Sequence, residues 1–157
     1  MNLLRPVAVR IGALPWLPRY SRPIIAVDKA IQLVTRGKLT LLALARLPSL
    51  VLTVKGRKTG EPRSTPLLCV PHDGGWLVVG SNWGHPKPPS WAVNLRSADR
   101  AEVLYDGSAH TVSVRVVEGE ERERMWQVLL RTWPNYALYA QRTDRELPVF
   151  VLTPFDS

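Results

Sequence analysis

Residues 56–67, GRKTGEPRSTPL, crowd Arg57, Lys58 and Arg63 into one short stretch punctuated by glycine, threonine and proline. The apolar runs Val51-Leu52-Thr53-Val54 and Leu67-Leu68-Cys69-Val70 on either side make it a tight basic turn between two strands. Cations fixed in one turn suit an anion, because each charge-assisted bond to a phosphate or carboxylate contributes about 1.5–3 kcal/mol. The same charges would also keep a hairpin tip soluble with no ligand at all. A second stretch, residues 80–95 (GSNWGHPKPPSWAVNL), follows Trp76-Leu77-Val78-Val79 and leads through a proline-stiffened loop into a short helix that Ser90 is suited to begin. Its small residues let backbone amides approach a ligand, Trp83 and Trp91 offer flat faces, and Asn94 lies one helical turn past Trp91. That combination suits a planar heterocycle, although Trp91 taken singly reads as a core anchor.

A third group, Trp133, Tyr136 and Tyr139, falls at three-residue spacing around Pro134, so on a second short helix all three would share one face. That face is either a substrate wall or an aromatic surface packed into the core. Other catalytic designs find no support. His72, His85 and His110 are isolated from one another and lack the spacing of metal ligands, so no metal is expected. Residues 56–60 are too short for a phosphate-binding P-loop and lack its Gly-Lys-Ser/Thr ending. Ser81 has no nucleophile-elbow context, and no dinucleotide-binding glycine pattern follows a strand.

In this order and spacing the three groups resemble the deazaflavin-dependent nitroreductase family of actinobacterial oxidoreductases, which use the reduced 8-hydroxy-5-deazaflavin coenzyme F-420. The resemblance runs from about Leu50 to Pro154. It is carried by Gly56-Arg57-Lys58-Thr59-Gly60 with Pro62-Arg63 and Pro66-Leu67, by Ser81-Asn82 with Gly84, Pro86-Lys87, Trp91 and Asn94-Leu95, and by Tyr136, Tyr139 and Thr143-Asp144-Arg145. It implies an α+β fold: a split β-barrel of the flavin-reductase-like, FMN-binding type, with flanking helices, an N-terminal helical extension and the coenzyme in a groove on the barrel.

The resemblance also implies roles. Arg57, Lys58 and Arg63 would grip the coenzyme's phosphodiester and oligoglutamate tail, Lys87 would add a charge, and Ser81 with Asn82 would bond the ring system. Thr59, Thr65, Pro66, Trp91 and Asn94 complete the implied coenzyme site. Tyr136, Tyr139 and Ser81 are the implied catalytic residues, orienting the acceptor or stabilising the charge it gains. Tyr136 and Tyr139 match the second and third of three pocket tyrosines in the nitroreductases. Trp133 stands in place of the first, with an indole that donates but does not accept a hydrogen bond, which counts against nitroimidazole reduction. The cofactor carries the hard step, so the protein has only to hold its hydride against an electron-poor quinone, nitro compound or activated alkene.

Several elements must position these residues. Residues 101–105 and 109–117 read as strands joined by the hairpin signal Asp106-Gly107, with Val112, Val114 and Val116 on one face. Residues 119–132 read as a helix whose start is rich in glutamate, which complements the positive end of its dipole. Residues 149–152 read as a closing strand. Residues 1–49 read as an N-terminal arm and amphipathic helix, and residues 50–157 as the coenzyme-binding barrel. Within the arm, Met1 to Pro23 is rich in proline and holds Arg5, Arg10, Arg19 and Arg22, while Ile24 to Thr35 has helical apolar spacing. Arg46 and Pro48 cut the apolar run 39–54 short of the roughly 20 residues that a membrane span needs.

The chain has 157 residues, 45% of them hydrophobic, enough for one compact domain with a real core. The single cysteine, Cys69, lies in an apolar run and reads as a reduced core residue. A net charge of +8 suggests nucleic acid, anionic lipid or an acidic small molecule as partner. The resemblance favours the last, so no nucleic acid is expected. Three function classes follow: an F-420-dependent reductase, a protein of the same fold that binds FMN, haem or a lipid-like ligand without reductase activity, and a basic binding module. The expected location is the cytoplasm, with peripheral contact of the arm on the anionic inner face of the cell membrane as a further expectation.

Overall fold

The computed structural model describes Val9, Ala13 and residues 47–155. Seven strands, β1 (Ser49–Lys55), β2 (Pro62–Leu68), β3 (Val70–His72), β4 (Gly75–Val79), β5 (Arg100–Tyr105), β6 (Ser108–Val116) and β7 (Val149–Pro154), form one sheet in the order β2-β1-β5-β6-β7-β4-β3. Every neighbouring pair is antiparallel. The edge strands β2 and β3 are separated in sequence only by Cys69, whose N–H donates to Pro48 O at 3.0 Å. Two edges joined by one residue force the sheet to curl, and the result is the split-barrel architecture that the sequence resemblance implies. Three helices flank it: α1 (Ser90–Arg96), α2 (Gly119–Thr132) and α3 (Asn135–Gln141).

The core divides along the pleat. On one side of β4, Trp76 and Val78 join Leu50, Leu52, Val103, Val112, Phe150 and the α1 residues Ala92 and Leu95. On the other, Leu77 and Val79 join Leu129, Tyr136, Tyr139 and Val149 beneath α2 and α3. Successive side chains of a strand point to opposite faces, so a strand covered on both sides must be apolar throughout, and all of Gly75–Val79 is buried.

The basic turn proves shorter than residues 56–67. β2 begins at Pro62 and pairs Lys55↔Pro62 and Val51↔Pro66. Both prolines are tolerated because β2 is an edge strand, where a missing N–H leaves no ladder bond unmade. A hairpin that the sequence reading lacks joins β3 to β4 through Asp73 (φ 53°) and Gly74 (φ 79°), the left-handed pair of a tight two-residue turn. Asp106 and Gly107, at 49° and 79°, form the expected one. The helix 119–132 has the expected bounds. Trp133 does not share a helix with the tyrosines: with φ −138° and ψ 87° it lies in the link between α2 and α3. The expected helix over Ile24 to Thr35 lies outside the described residues. Among the described residues, no helix is long and apolar enough to cross a membrane.

Candidate active site

The basic turn is closed by its own backbone, with Gly56 N–H donating to Glu61 O and Gly60 N–H to Gly56 O, both at 2.8 Å. Gly56 is buried there, and a Cβ on it would sit 2.9 Å from Thr59 Oγ1 and 3.1 Å from Arg63 Nε. A side chain at this position would have to push Thr59 and Arg63 aside. Arg57 is held from outside the turn: its backbone N–H and its Nη1 donate to Asn94 Oδ1 at 3.1 and 2.9 Å. Asn94, on α1, is 4% exposed, so the tip of the hairpin is tethered to a buried amide. Arg57, Lys58, Thr59 and Arg63 are themselves exposed, whereas Thr65 and Pro66 are half-buried on β2. Among the described residues, none of Arg57, Lys58, Arg63 or Lys87 pairs with a carboxylate; the ion pairs lie elsewhere, on Arg115 and Arg122. Glu61 is the one carboxylate of the turn, so Arg57, Lys58 and Arg63 leave it a net positive charge suited to an anionic ligand.

The second loop leaves β4 at Gly80, whose N–H donates to Pro148 O at 3.0 Å. Asn82 adopts φ 44° and its Nδ2 donates to Lys87 O at 2.9 Å, closing the loop on itself. Gly84, at φ 81°, lies so close to α3 that a Cβ would meet Tyr139 O at 2.6 Å and Arg142 Cβ at 2.8 Å. Behind the loop, Arg145 donates from Nη1 to Gly80 O at 3.0 Å, from Nη2 to Ser81 O at 2.8 Å and from Nε to His85 O at 2.9 Å. Ser81 and Asn82 are half-buried, and Lys87 is exposed. The half-buried ring of Trp91 packs on Phe150 with centroids 5.9 Å apart, so part of it serves the core.

The aromatic group is interior. Trp133, Tyr136 and Tyr139 are 8%, 3% and 2% exposed, in the cluster under α3. Tyr136 and Tyr139 meet edge to face at 6.2 Å, and Trp133 Nε1 donates to Tyr139 Oη at 3.3 Å. Burial raises the pKa of both phenols, so they stay protonated well above neutral pH. Burial likewise pushes the Cys69 thiol up to about 12. The tyrosines share a cluster, as the spacing suggests, but they do not form an open wall. The described part of the arm lies against them: Val9 packs on the cluster, Asn135 Nδ2 donates to Val9 O at 2.6 Å, and Arg142 Nη2 donates to Ala13 O at 2.7 Å.

The structure thus brings the basic turn to α1 through Asn94, and the second loop to the tyrosine helix through Gly84. Sequence reasoning assigned no role to Arg145, Arg142 or Asn135. Arg145 stood in a block that carried the resemblance, but its three carbonyl partners are 60 to 65 residues away and leave no local signature. Among the described residues, no group of three His, Cys, Asp or Glu is placed to hold a metal.

Comparison with known proteins gives a consistent picture. Residues 28–154 match the F420H(2)-dependent quinone reductase family, so the match begins well ahead of Leu50, where the motif resemblance starts. An F420H(2)-dependent quinone reductase of Mycobacterium tuberculosis is 31% identical over 142 residues, which cover 88% of this chain and 95% of that protein. A solved F420-H2 dependent reductase (FDR-A) is 36% identical with a TM-score of 0.62, over 67% of this chain and 93% of the other. A second solved structure, described as a domain-swapped dimer, is 31% identical with a TM-score of 0.65, over 87% and 96%. The haem storage protein HutZ of Vibrio cholerae, at 14% identity and a TM-score of 0.53 over 70% of this chain and 83% of that one, shares the fold alone.

Proposed function

The chain belongs to the F420H(2)-dependent quinone reductase family, and we propose that it transfers hydride from reduced coenzyme F-420 to a quinone. The observation that carries this reading is the tethered turn: Arg57 is fixed on Asn94 Oδ1, beside Lys58 and Arg63, and none of these cations has a carboxylate partner among the described residues. Such a cradle fits a coenzyme with a phosphodiester and a glutamate tail. The second loop fits its ring through Ser81 and Asn82, while Gly80 and Gly84 let the loop pack closely on α1, Pro148 and α3. A binding protein for FMN, haem or a lipid-like ligand is the weaker reading, since two haem proteins of this fold are similar at only 14% and 16% identity.

The bound coenzyme supplies the hydride. Arg57, Lys58 and Arg63 hold its acidic end, with Thr59, Thr65 and Pro66 shaping that end of the groove and Lys87 adding charge. Ser81 and Asn82 bond the ring, Trp91 braces it from α1, and Asn94 serves the site by holding Arg57. Tyr136 and Tyr139, neutral phenols whose pKa burial raises further, serve as hydrogen-bond donors to the acceptor oxygen that gains charge. They do not act as bases. One lone pair of Tyr139 Oη is already taken by Trp133 Nε1, which favours the donor role further.

An acceptor reaching these hydroxyls enters beside the arm, where Val9 and Ala13 lie against α3. Nitro compounds and activated alkenes are secondary acceptors in this proposal, and Trp133 disfavours nitroimidazoles. A lipophilic quinone also makes membrane contact by Arg5, Arg10, Arg19 and Arg22 useful, each worth about 1 kcal/mol at most near an anionic surface. Titration of the protein with F-420, FMN and haem, followed by tryptophan quenching, tests the reading. F-420 should bind tightest and lose affinity in Arg57→Ala, Lys58→Ala and Arg63→Ala. Tighter binding of FMN or haem would overturn it.

A further inference from the structure

We infer that Arg145 is a positioning residue for the coenzyme loop, one that turns the backbone N–H groups of Ser81 and Asn82 outward as a donor pair. The inference rests on the proposed function for what those donors meet. Its geometric part stands alone. Three carbonyls, of Gly80, Ser81 and His85, converge on the one guanidinium at 2.8–3.0 Å. Oxygens so gathered repel one another unless a cation lies among them, and the planar fork of arginine presents separate N–H groups in fixed directions. Lysine has a single nitrogen to offer.

The consequence for the ligand follows from the peptide unit. No peptide bond is cis among the described residues, so each N–H points opposite to the C=O of the same peptide. Drawing Gly80 O and Ser81 O toward Arg145 therefore sends Ser81 N–H and Asn82 N–H away from it. The backbone bonds of this loop run from Gly80 N–H to Pro148 O, Gly84 N–H to Ser81 O and His85 N–H to Asn82 O, and neither outward N–H takes part in them. Asn82 holds a left-handed φ of 44°, which costs a non-glycine residue free energy, and the clamp offsets that cost. Arg145 reaches it from the segment that follows α3, whose last turn abuts Gly84.

The test uses full-length protein carrying Arg145→Met or Arg145→Lys. Amide hydrogen exchange of residues 80–87 is measured without ligand, and F-420 affinity and the KM of a water-soluble quinone are measured with it. The Met variant should exchange faster in this loop than in the rest of the barrel and bind F-420 at least about tenfold more weakly, with quinone KM unchanged. Millimolar guanidinium should restore part of that affinity to the Met variant, and the Lys variant should fall between. A Met variant that only melts at a lower temperature, with unchanged loop exchange and F-420 affinity, would overturn the inference. If the Met variant does not fold, the same two readouts on the Lys variant decide. Failure of the wild-type protein to bind F-420 would instead overturn the proposed function, while loop exchange would still judge the clamp.

Discussion

Asn94→Leu separates a residue that touches the coenzyme from one that acts through Arg57. Leucine keeps the branch at Cγ and suits a buried helix position, though its methyl groups are bulkier than the amide, and it removes the oxygen that accepts both Arg57 bonds. A bond to a charged donor contributes about 1.5–3 kcal/mol and a neutral one about 0.5–1.5. Arg57 is exposed, so water replaces much of both. A stability loss of about 1–2 kcal/mol remains after that discount. For a chain of this length, each kcal/mol lowers Tm by roughly 2–4 °C, giving a fall of roughly 2–8 °C. The larger effect is on binding. A freed Arg57 must be ordered when the anion arrives, at about 0.5–1.5 kcal/mol for the side chain and 1–2 for its backbone, so affinity should fall by about 2 kcal/mol or roughly thirtyfold. The assay is tryptophan quenching by F-420 in wild type, Asn94→Leu, Arg57→Met and the double variant. If Asn94 acts by holding Arg57, its substitution should cost less once Arg57 is Met, where only the backbone N–H bond is left to lose. Equal losses in both backgrounds would refute the tether and make Asn94 an independent contact.

Removing one cation of the turn by Arg57→Ala, Lys58→Ala or Arg63→Ala should weaken F-420 binding roughly ten- to hundredfold, measured by the same titration, with smaller losses at high salt. Tyr139→Phe strands a buried Trp133 N–H and should cost about 1–3 kcal/mol of stability, as read by denaturant unfolding. In both Tyr136→Phe and Tyr139→Phe, quinone kcat should fall more than F-420 affinity. The Cys69 thiol is raised from 9.0 to about 12 in the folded protein, so its contribution to stability is complete below pH 9 and lost as pH rises toward 12; a Cys69→Ala variant should show a shallower alkaline decline. A chain shortened to begin near Ser21 leaves Asn135 Nδ2 without Val9 O and should melt at a lower temperature, and membrane contact by the arm predicts that it also stops cosedimenting with anionic vesicles.

What the sequence made legible was local. Asp106-Gly107, the helix 119–132 and the basic turn are each specified by neighbours in the chain, through turn chemistry, end charges and apolar spacing. Asp73-Gly74 carried the same hairpin signal, but β3 is three residues long and contains Pro71, so no strand pattern preceded it. Pro62 and Pro66 suggest loop and lengthen the turn in the sequence, because the edge position of β2 leaves no local signature. Spacing alone puts Trp133 on the helix of the tyrosines; the following Pro134 disfavours helical backbone there and leaves it in the link. The contacts that fix the site are long-range. Arg57 meets Asn94 across 37 residues and Arg145 meets Ser81 across 64, and no periodicity reports on either.

Reduced F-420 mixed anaerobically with the protein and a water-soluble quinone tests the central claim most directly, by the return of the oxidised coenzyme's visible absorption. The predicted result is oxidation of one coenzyme per quinone reduced, at a rate proportional to protein and depressed in Arg57→Ala at low coenzyme concentration. Reduced coenzyme that stays reduced under these conditions, with wild-type protein that is folded and binds it, would contradict the assignment as a quinone reductase.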